Sequence, residues 1–236
     1  ALAANEAKDL RNGDIYVVSA DGSQCQMVLR VKEGSKDRPV AWLPDGQQLA
    51  ITSDASGVNR PGLLNTESGA IRWLGIEGID ESAVSVSKNG KYLATLRNLD
   101  AAISVVIYDL DEETEIVLGA KSGLAIWPDF ALNDTTLVMA KASSTRHREL
   151  LTVNLATKEE HVLTPVDYGS VDTSAFVESA HVRSPSSDGV SIPAVLSTPA
   201  SLAQDAKAPA MVIVHGGPTG QFFRAKQACF CLAVHN

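Results

Sequence analysis

Leu43-Pro44-Asp45-Gly46-Gln47-Gln48-Leu49-Ala50 returns twice in altered form. The second copy is Ser87-Lys88-Asn89-Gly90-Lys91-Tyr92-Leu93-Ala94, and the third is Ala131-Leu132-Asn133-Asp134-Thr135-Thr136-Leu137-Val138. The copies align without gaps. Leu49, Leu93 and Leu137 are 44 residues apart, as are Asp45, Asn89 and Asn133. Each copy reads as a tight turn running into a strand. Asp-Gly and Asn-Gly supply the positive φ that a two-residue hairpin needs, and the residues after them are apolar and β-prone. Asn133-Asp134 is expected to tolerate this geometry less well.

A second turn recurs between these copies. It appears in Val17-Val18-Ser19-Ala20-Asp21-Gly22 and Leu63-Leu64-Asn65-Thr66-Glu67-Ser68-Gly69, then in Val106-Ile107-Tyr108-Asp109-Leu110-Asp111 and Leu151-Thr152-Val153-Asn154-Leu155-Ala156-Thr157. Asn65, Asp109 and Asn154 are 44 and 45 apart. Each period therefore holds two hairpin turns and about four short strands, the content of one propeller blade of ~40–45 residues. A β-sandwich with chance regularity is the alternative, and gap-free spacing at two different turns speaks against it. Helical periodicity is nearly absent from 12 to 183. Three full periods and part of a fourth fall between about 13 and 183, whereas closed propellers have roughly four to eight blades. The chain is expected to start in mid-propeller, with the three leucines at equivalent buried positions. Trp42, Trp73 and Trp127 recur near equivalent blade positions and are expected in the core. Arg146-His147-Arg148 reads as a solvated loop, with a contact to a substrate carboxylate as the alternative.

The repeat stops after about 178. His181 stands where a fourth leucine would fall, and no Asn-Gly or Asp-Gly turn precedes it. Residues 181–199 read as strand, turn at Asp188-Gly189, strand. Residues 200–209 are a small-residue, proline-bounded linker. Ala210-Met211-Val212-Ile213-Val214-His215 is apolar without alternation, as in a strand covered on both faces, and it ends in Gly216-Gly217-Pro218-Thr219-Gly220. Two domains are expected, a partial propeller over 1–180 and the truncated start of a second domain over 181–236.

Residues 182–221, with Asp188-Gly189, Pro193-Ala194-Val195-Leu196, Pro199 and His215-Gly216-Gly217-Pro218, resemble the junction between propeller and catalytic domain in the prolyl-oligopeptidase family. The acylaminoacyl-peptidase and dipeptidyl-peptidase-like members are the best match. The resemblance implies a mainly β chain: a partial β-propeller of about 3–4 four-stranded blades, then the first strands of an α/β-hydrolase domain. It also implies a serine peptidase acting on short peptides or acyl-peptides by Ser-His-Asp chemistry, with the propeller restricting entry to the site. The Gly217 N–H would be an oxyanion donor. Gly216 would shape the turn, Pro218 would stiffen it, and His215 would support the loop without being the catalytic histidine. No cofactor and no metal is implied. Two alternatives stay open: a propeller that binds a partner without chemistry, and an esterase or dienelactone-type hydrolase. The His-Gly-Gly-Pro loop counts against the first and the blades against the second.

The catalytic residues themselves are missing. No Gly-x-Ser-x-Gly occurs, and Gly189-Val190-Ser191-Ile192-Pro193 is a near miss placed before the first sheet strand. Residues 224–236 carry Cys229 and Cys231 and depart from the family pattern. They read as a frameshifted or fragment end, or as a divergent helix. This chain alone is expected to be inactive.

Composition narrows the remaining classes. The chain has 236 residues, of which 44% are hydrophobic, and a net charge of −8. An acidic surface disfavours nucleic acid and anionic membranes as main partners, and no apolar run approaches the ~18 residues of a spanning helix. The partner expected is a peptide substrate in the intact parent, together with self-association through exposed strand edges. Three cysteines (Cys25, Cys229 and Cys231) make no disulfide framework. The five histidines show no metal-ligand spacing. A cytoplasmic location is favoured, but Ala1-Leu2-Ala3 also reads as the scar of a removed signal peptide, which would make the protein periplasmic or secreted.

Overall fold

A computed structural model of the chain describes residues 1–5, 12–119, 123–203, 206–217 and 220–225. Its strands fall into consecutive antiparallel units. β1 (Leu2–Ala4), β2 (Asp14–Val18) and β3 (Cys25–Leu29) form a three-stranded sheet. β4 (Asp37–Trp42), β5 (Gln48–Ser53), β6 (Arg60–Asn65) and β7 (Ile71–Trp73) form the second unit in chain order. β8 (Asp80–Val86), β9 (Tyr92–Leu99), β10 (Ala102–Asp109) and β11 (Thr114–Leu118) form the third. β12 (Leu124–Phe130), β13 (Thr136–Ala142), β14 (Glu149–Asn154) and β15 (Glu160–Val162) form the fourth. One parallel pair, Ile103 with Leu124, links the last two units into a single ladder. Among the described residues these are propeller blades, three with four strands and one with three.

The turns form where the repeat placed them. Asp45 accepts the N–H groups of Gln47 and Gln48, and Gly46 takes φ 68°. Asn133 does the same for Thr135 and Thr136. Asp134, standing where the other copies have glycine, is held at φ 54°. Its carboxylate accepts the N–H groups of Lys88 (2.7 Å) and Asn89 (3.1 Å) on the preceding blade. The strained residue thus ties two adjacent turns together. In the copy before it the contact is steric: a Cβ on Gly90 would lie 2.6 Å from Pro44 Cδ.

The core lies between the blades. Leu49, Ile51 and Leu64 pack on Ile15 and Leu29 of the first blade. Ala50 and Leu63, on the other side of the same strands, meet Ala83, Leu93, Val106 and Tyr108. Ala94, Val105 and Ile107 then meet Leu137, Met139, Leu151 and Val153. Leu49, Leu93 and Leu137 are at most 1% exposed, and each faces the preceding blade from the second strand of its own. The first strand of each complete blade carries a register shift at the equivalent place: Pro39/Ala41, Ala83/Ser85 and Ile126/Asp129.

One polar network crosses all four strands of the third blade. Glu81, 1% exposed, accepts hydrogen bonds from Thr95 Oγ1 (2.5 Å), Arg97 Nε (2.6 Å) and Tyr108 Oη (2.8 Å). Arg97 also donates to Tyr108 Oη and to Glu115 Oε2, each at 2.8 Å. Burial, then the Glu81 charge, pushes the Tyr108 hydroxyl above its ordinary range. The hydrogen bond from Arg97 holds the Glu115 carboxyl below its own. Gly75, at φ 73°, leaves room for the network, since a Cβ there would meet Pro61 Cδ at 3.2 Å and Glu81 Oε2 at 3.3 Å.

Leu137→Ala is expected to cost ~2–5 kcal/mol, as buried leucine truncations do. Leu132→Ala, at a position 89% exposed, should stay within ~0.5 kcal/mol of wild type. Urea unfolding distinguishes them, and equal losses would refute the blade register. Glu81→Ala should cost ~3–5 kcal/mol by taking the buried carboxylate partner from Arg97 and leaving it Glu115 alone, and Glu81→Leu with Arg97→Met should recover part of the loss. In a pH series of thermal melts, the Glu115 contribution is complete above ~4.3 and disappears as pH falls through its lowered value. The Tyr108 contribution is complete below ~10 and is lost as pH rises toward its raised value. A melting temperature flat from acid to alkaline pH would count against the network.

Candidate functional site

Antiparallel strands put alternate turns at opposite ends of a blade. The Asp-Gly and Asn-Gly turns, with those beginning at Asn65, Asp109 and Asn154, emerge on one face of the propeller. The turns between second and third strands emerge on the other, and there the chain returns after the last blade. Ser144 Oγ donates to Glu178 (2.9 Å) and accepts the N–H of Ser179 (3.1 Å). His181 Nδ1 lies 3.5 Å from Asp100 Oδ1. Asn98 donates to Gln221 (2.9 Å), and the Arg224 N–H donates to the Ala101 carbonyl (2.8 Å). The β9–β10 turn that receives the His181 and Arg224 contacts is tight, with Asp100 at φ 53° and Ala101 at φ 60°.

β16 (Ser179–Pro185) and β17 (Ser191–Ser197) form the expected hairpin, as a separate two-stranded sheet. Its turn has Gly189 at φ 83° and the Asp188 carboxylate accepting the Val190 N–H. Residues 210–215 differ from expectation. They carry no strand pairing, and Val212 and Val214 are 86% and 83% exposed. A strand is defined by its neighbours, and no described strand lies alongside to accept its hydrogen bonds. The expected first strand of a hydrolase sheet is therefore present as sequence but not as a ladder.

Gly216 and Gly217 follow at the end of this segment, both exposed. Gly217 takes φ 124°, a conformation that side-chain-bearing residues rarely adopt. The sharp backbone change is thus at Gly217 itself. A Cβ on Gly220 would lie 2.5 Å from the Gly216 carbonyl oxygen, so the chain doubles back closely here. His215 is also exposed. Its Nδ1 is 3.1 Å from the Gly216 carbonyl, and its ring meets Phe222 edge-on at 5.9 Å. It braces the loop from outside. Pro218 and the tail with Cys229 and Cys231 lie outside the described residues.

The other candidates are scattered. Ser191 sits exposed at the start of β17, opposite Pro185, on a hairpin strand and not a strand-to-helix turn. The tryptophans are not uniformly core. Trp73 packs against the seam between the first two blades, whereas Trp42 is 37% and Trp127 58% exposed. Trp127 occupies the β12 register shift at φ 56°, which swings its ring outward. The Arg148 guanidinium lies over that ring, 4.5 Å from its centroid. Arg146 reaches Glu149 at 3.5 Å, and the His147 N–H donates to Tyr168 Oη at 2.9 Å. The loop 146–148 is exposed, as expected, but anchored.

Sequence reasoning missed the acids at the head of the innermost strands. Asp37 and Glu81 are both buried and lie 44 residues apart. Asp37 accepts hydrogen bonds from Val31 N–H (2.7 Å) and Ser53 Oγ (2.5 Å). Their cross-strand partners Ser53 and Arg97 keep the same spacing, so the period itself carried the signal. Among the described residues, no group of three His, Cys, Asp or Glu side chains is placed to hold a metal, and no helix is long and apolar enough to cross a membrane.

No family model matches the chain, and no curated protein does. Solved structures do match. A puromycin-hydrolyzing peptidase of Mycobacterium tuberculosis superposes with a TM-score of 0.71 at 16% identity, over 91% of this chain and 34% of its own. A prolyl endopeptidase gives 0.67 at 18%, over 84% of this chain and 29% of its own. TolB from Acinetobacter baumannii gives 0.55 at 14%, over 83% and 48%. The chain thus spans about a third of the peptidases and about half of TolB. At these identities the likeness is one of fold, and the fold is the β-propeller shared by prolyl-oligopeptidase-type peptidases and TolB.

Proposed function

We propose that the chain is the propeller and junction of a serine hydrolase of the prolyl-oligopeptidase type, divided at 1–180 and 181–236, acting on short peptides or acyl-peptides. The observation that carries this is the order of parts. Blades are followed by a separate hairpin and then by His215-Gly216-Gly217, with Gly217 in a glycine-dependent conformation. A propeller without chemistry has no use for that loop. The puromycin-hydrolyzing peptidase gives further support, because its match over 91% of this chain extends beyond the blades, which end at Val162.

Acyl transfer puts negative charge on the former carbonyl oxygen as the nucleophile adds. A fixed backbone N–H stabilises that charge without reorganising, and Gly217 N–H fills this role. The second donor of such sites comes from the residue after the nucleophile. With no Gly-x-Ser-x-Gly in the chain, Gly217 has no developing charge to stabilise. Nucleophile, base and orienting acid act as a unit, so an isolated donor gives no useful rate.

The purified chain is accordingly expected to leave peptides intact and to remain unlabelled by fluorophosphonate probes. A labelled serine would sink the assignment of Gly217 and the claim of inactivity together. The loop is tested separately, in a chimera carrying residues 179–225 in place of the matching segment of the puromycin-hydrolyzing peptidase. The chimera should hydrolyse, and Gly217→Ala in it should lower kcat ~10²–10³-fold. An unchanged kcat would remove Gly217 from the oxyanion site.

A further inference from the structure

The third blade presents to the junction a side chain that the blades beside it lack. Asn98 lies in β9 with ladder partners on both sides, Asp80 on β8 and Ile103 on β10, so its backbone is fixed from left and right. By the 44-residue repeat it corresponds to Asp54 and Ala142, and of the three only Asn98 carries a carboxamide. Its Nδ2 donates to Gln221 Oε1 at 2.9 Å, and Gln221 Nε2 returns a longer contact to Asn98 Oδ1 at 3.5 Å. Three residues further along each segment, the Arg224 N–H donates to the Ala101 carbonyl at 2.8 Å. Residues 98–101 and 221–224 are thus fastened to each other at both ends.

The turn that holds the second bond is strained. Asp100 and Ala101 are successive non-glycine residues in the left-handed region, where a Cβ is crowded. Ala101 is nevertheless buried, at the tip of a hairpin. Backbone in such a conformation persists only where its surroundings over-determine it, and it clusters at functional sites. The loop that carries Gly217 is in turn closed on itself. The His215 ring meets the Phe222 ring, and the Gly216 carbonyl oxygen stands where the chain doubles back at Gly220. Gln221, Phe222 and Arg224 form the base of this loop, and the third blade holds the first and last of them.

We propose that Asn98 is a positioning residue for the Gly217 N–H, and that the β9–β10 hairpin of the propeller sets where that donor stands. The proposal rests on the reading of Gly217 as an oxyanion donor. Such a donor must be fixed before charge develops if it is to act without reorganising. A group referenced to a paired strand is placed more precisely than one referenced to a loop. Asn98 also adjoins Arg97, which the buried Glu81 holds in register at 2.6 Å. Alignment of the third blade and placement of the donor are therefore one event.

Amide order parameters from NMR relaxation of the full chain provide the test. Gly217 and Gly220 are expected at ~0.85, the level of rigid backbone. Asn98→Ala and Gln221→Ala should each bring both glycines below ~0.6. The double variant should go no lower than either single one, because the two side chains make one contact. Asn98→Asp should keep the loop ordered, since its carboxylate still accepts from Gln221 Nε2. Gln221→Ala leaves every blade residue in place, so a folding defect cannot imitate loss of the contact. A loop already mobile in the wild type would overturn the proposal, as would one that stays rigid in both single variants. It also fails if Thr145→Ala, which removes the Thr145–Glu178 bond at the fourth blade's turn, loosens Gly217 as much. The readout needs no catalysis, so it stands or falls separately from the kcat of the Gly217→Ala chimera.

Discussion

Strands in this molecule must be apolar on both faces, because the core lies between sheets stacked in a row. A sheet with one wet side satisfies itself with every second residue. Here the inner strands cannot: Ile107 faces one neighbouring blade while Tyr108 faces the other. Two-sided burial explains the near-continuous apolar runs that follow each turn. It also explains why the leucines at 44-residue intervals are interchangeable in role, each closing the seam behind it.

The period was legible because turn chemistry and core chemistry repeat together. Asp45-Gly46 and Asn89-Gly90 mark where a strand must begin, and the leucine four residues after each acidic or amide residue marks which side is inward. What stayed hidden needed partners far away in the sequence. Residues 210–215 have the composition of a buried strand, but composition describes an environment and cannot provide one. Trp127 has the composition of a core residue, but the left-handed backbone at its register shift turns it outward. The candidate loop was legible as a motif, but the resemblance put the turn at Gly216, whereas the positive φ falls at Gly217; the spacing identifies a pair of glycines and not which of them turns.

Asp134 illustrates how a repeat absorbs a departure from its own pattern. The position demands positive φ, which glycine accepts without strain. Aspartate accepts it less readily, yet its carboxylate receives two N–H groups of the adjacent turn. Strain within one blade is offset by a bond to the blade before it. The post-propeller chain uses the opposite face in the same way, returning to the tight Asp100-Ala101 turn and to Ser144, so that the segment ending in Gly217 is tethered to two blades.

The four-strand network of the third blade also has a consequence for assembly of the sheet. Glu81, Thr95, Arg97, Tyr108 and Glu115 come from four different strands and meet only if all four are aligned. Strands with apolar residues on both faces could otherwise slip along one another at modest cost, because one greasy neighbour resembles the next. A slip by two residues keeps every side chain on its own face, yet here it would leave the Glu81 carboxylate in an apolar seam with its donors displaced, which burial penalises heavily. The acid therefore acts as a vernier on the sheet: oily packing brings the strands together, and one charged reading fixes which notch they stop in.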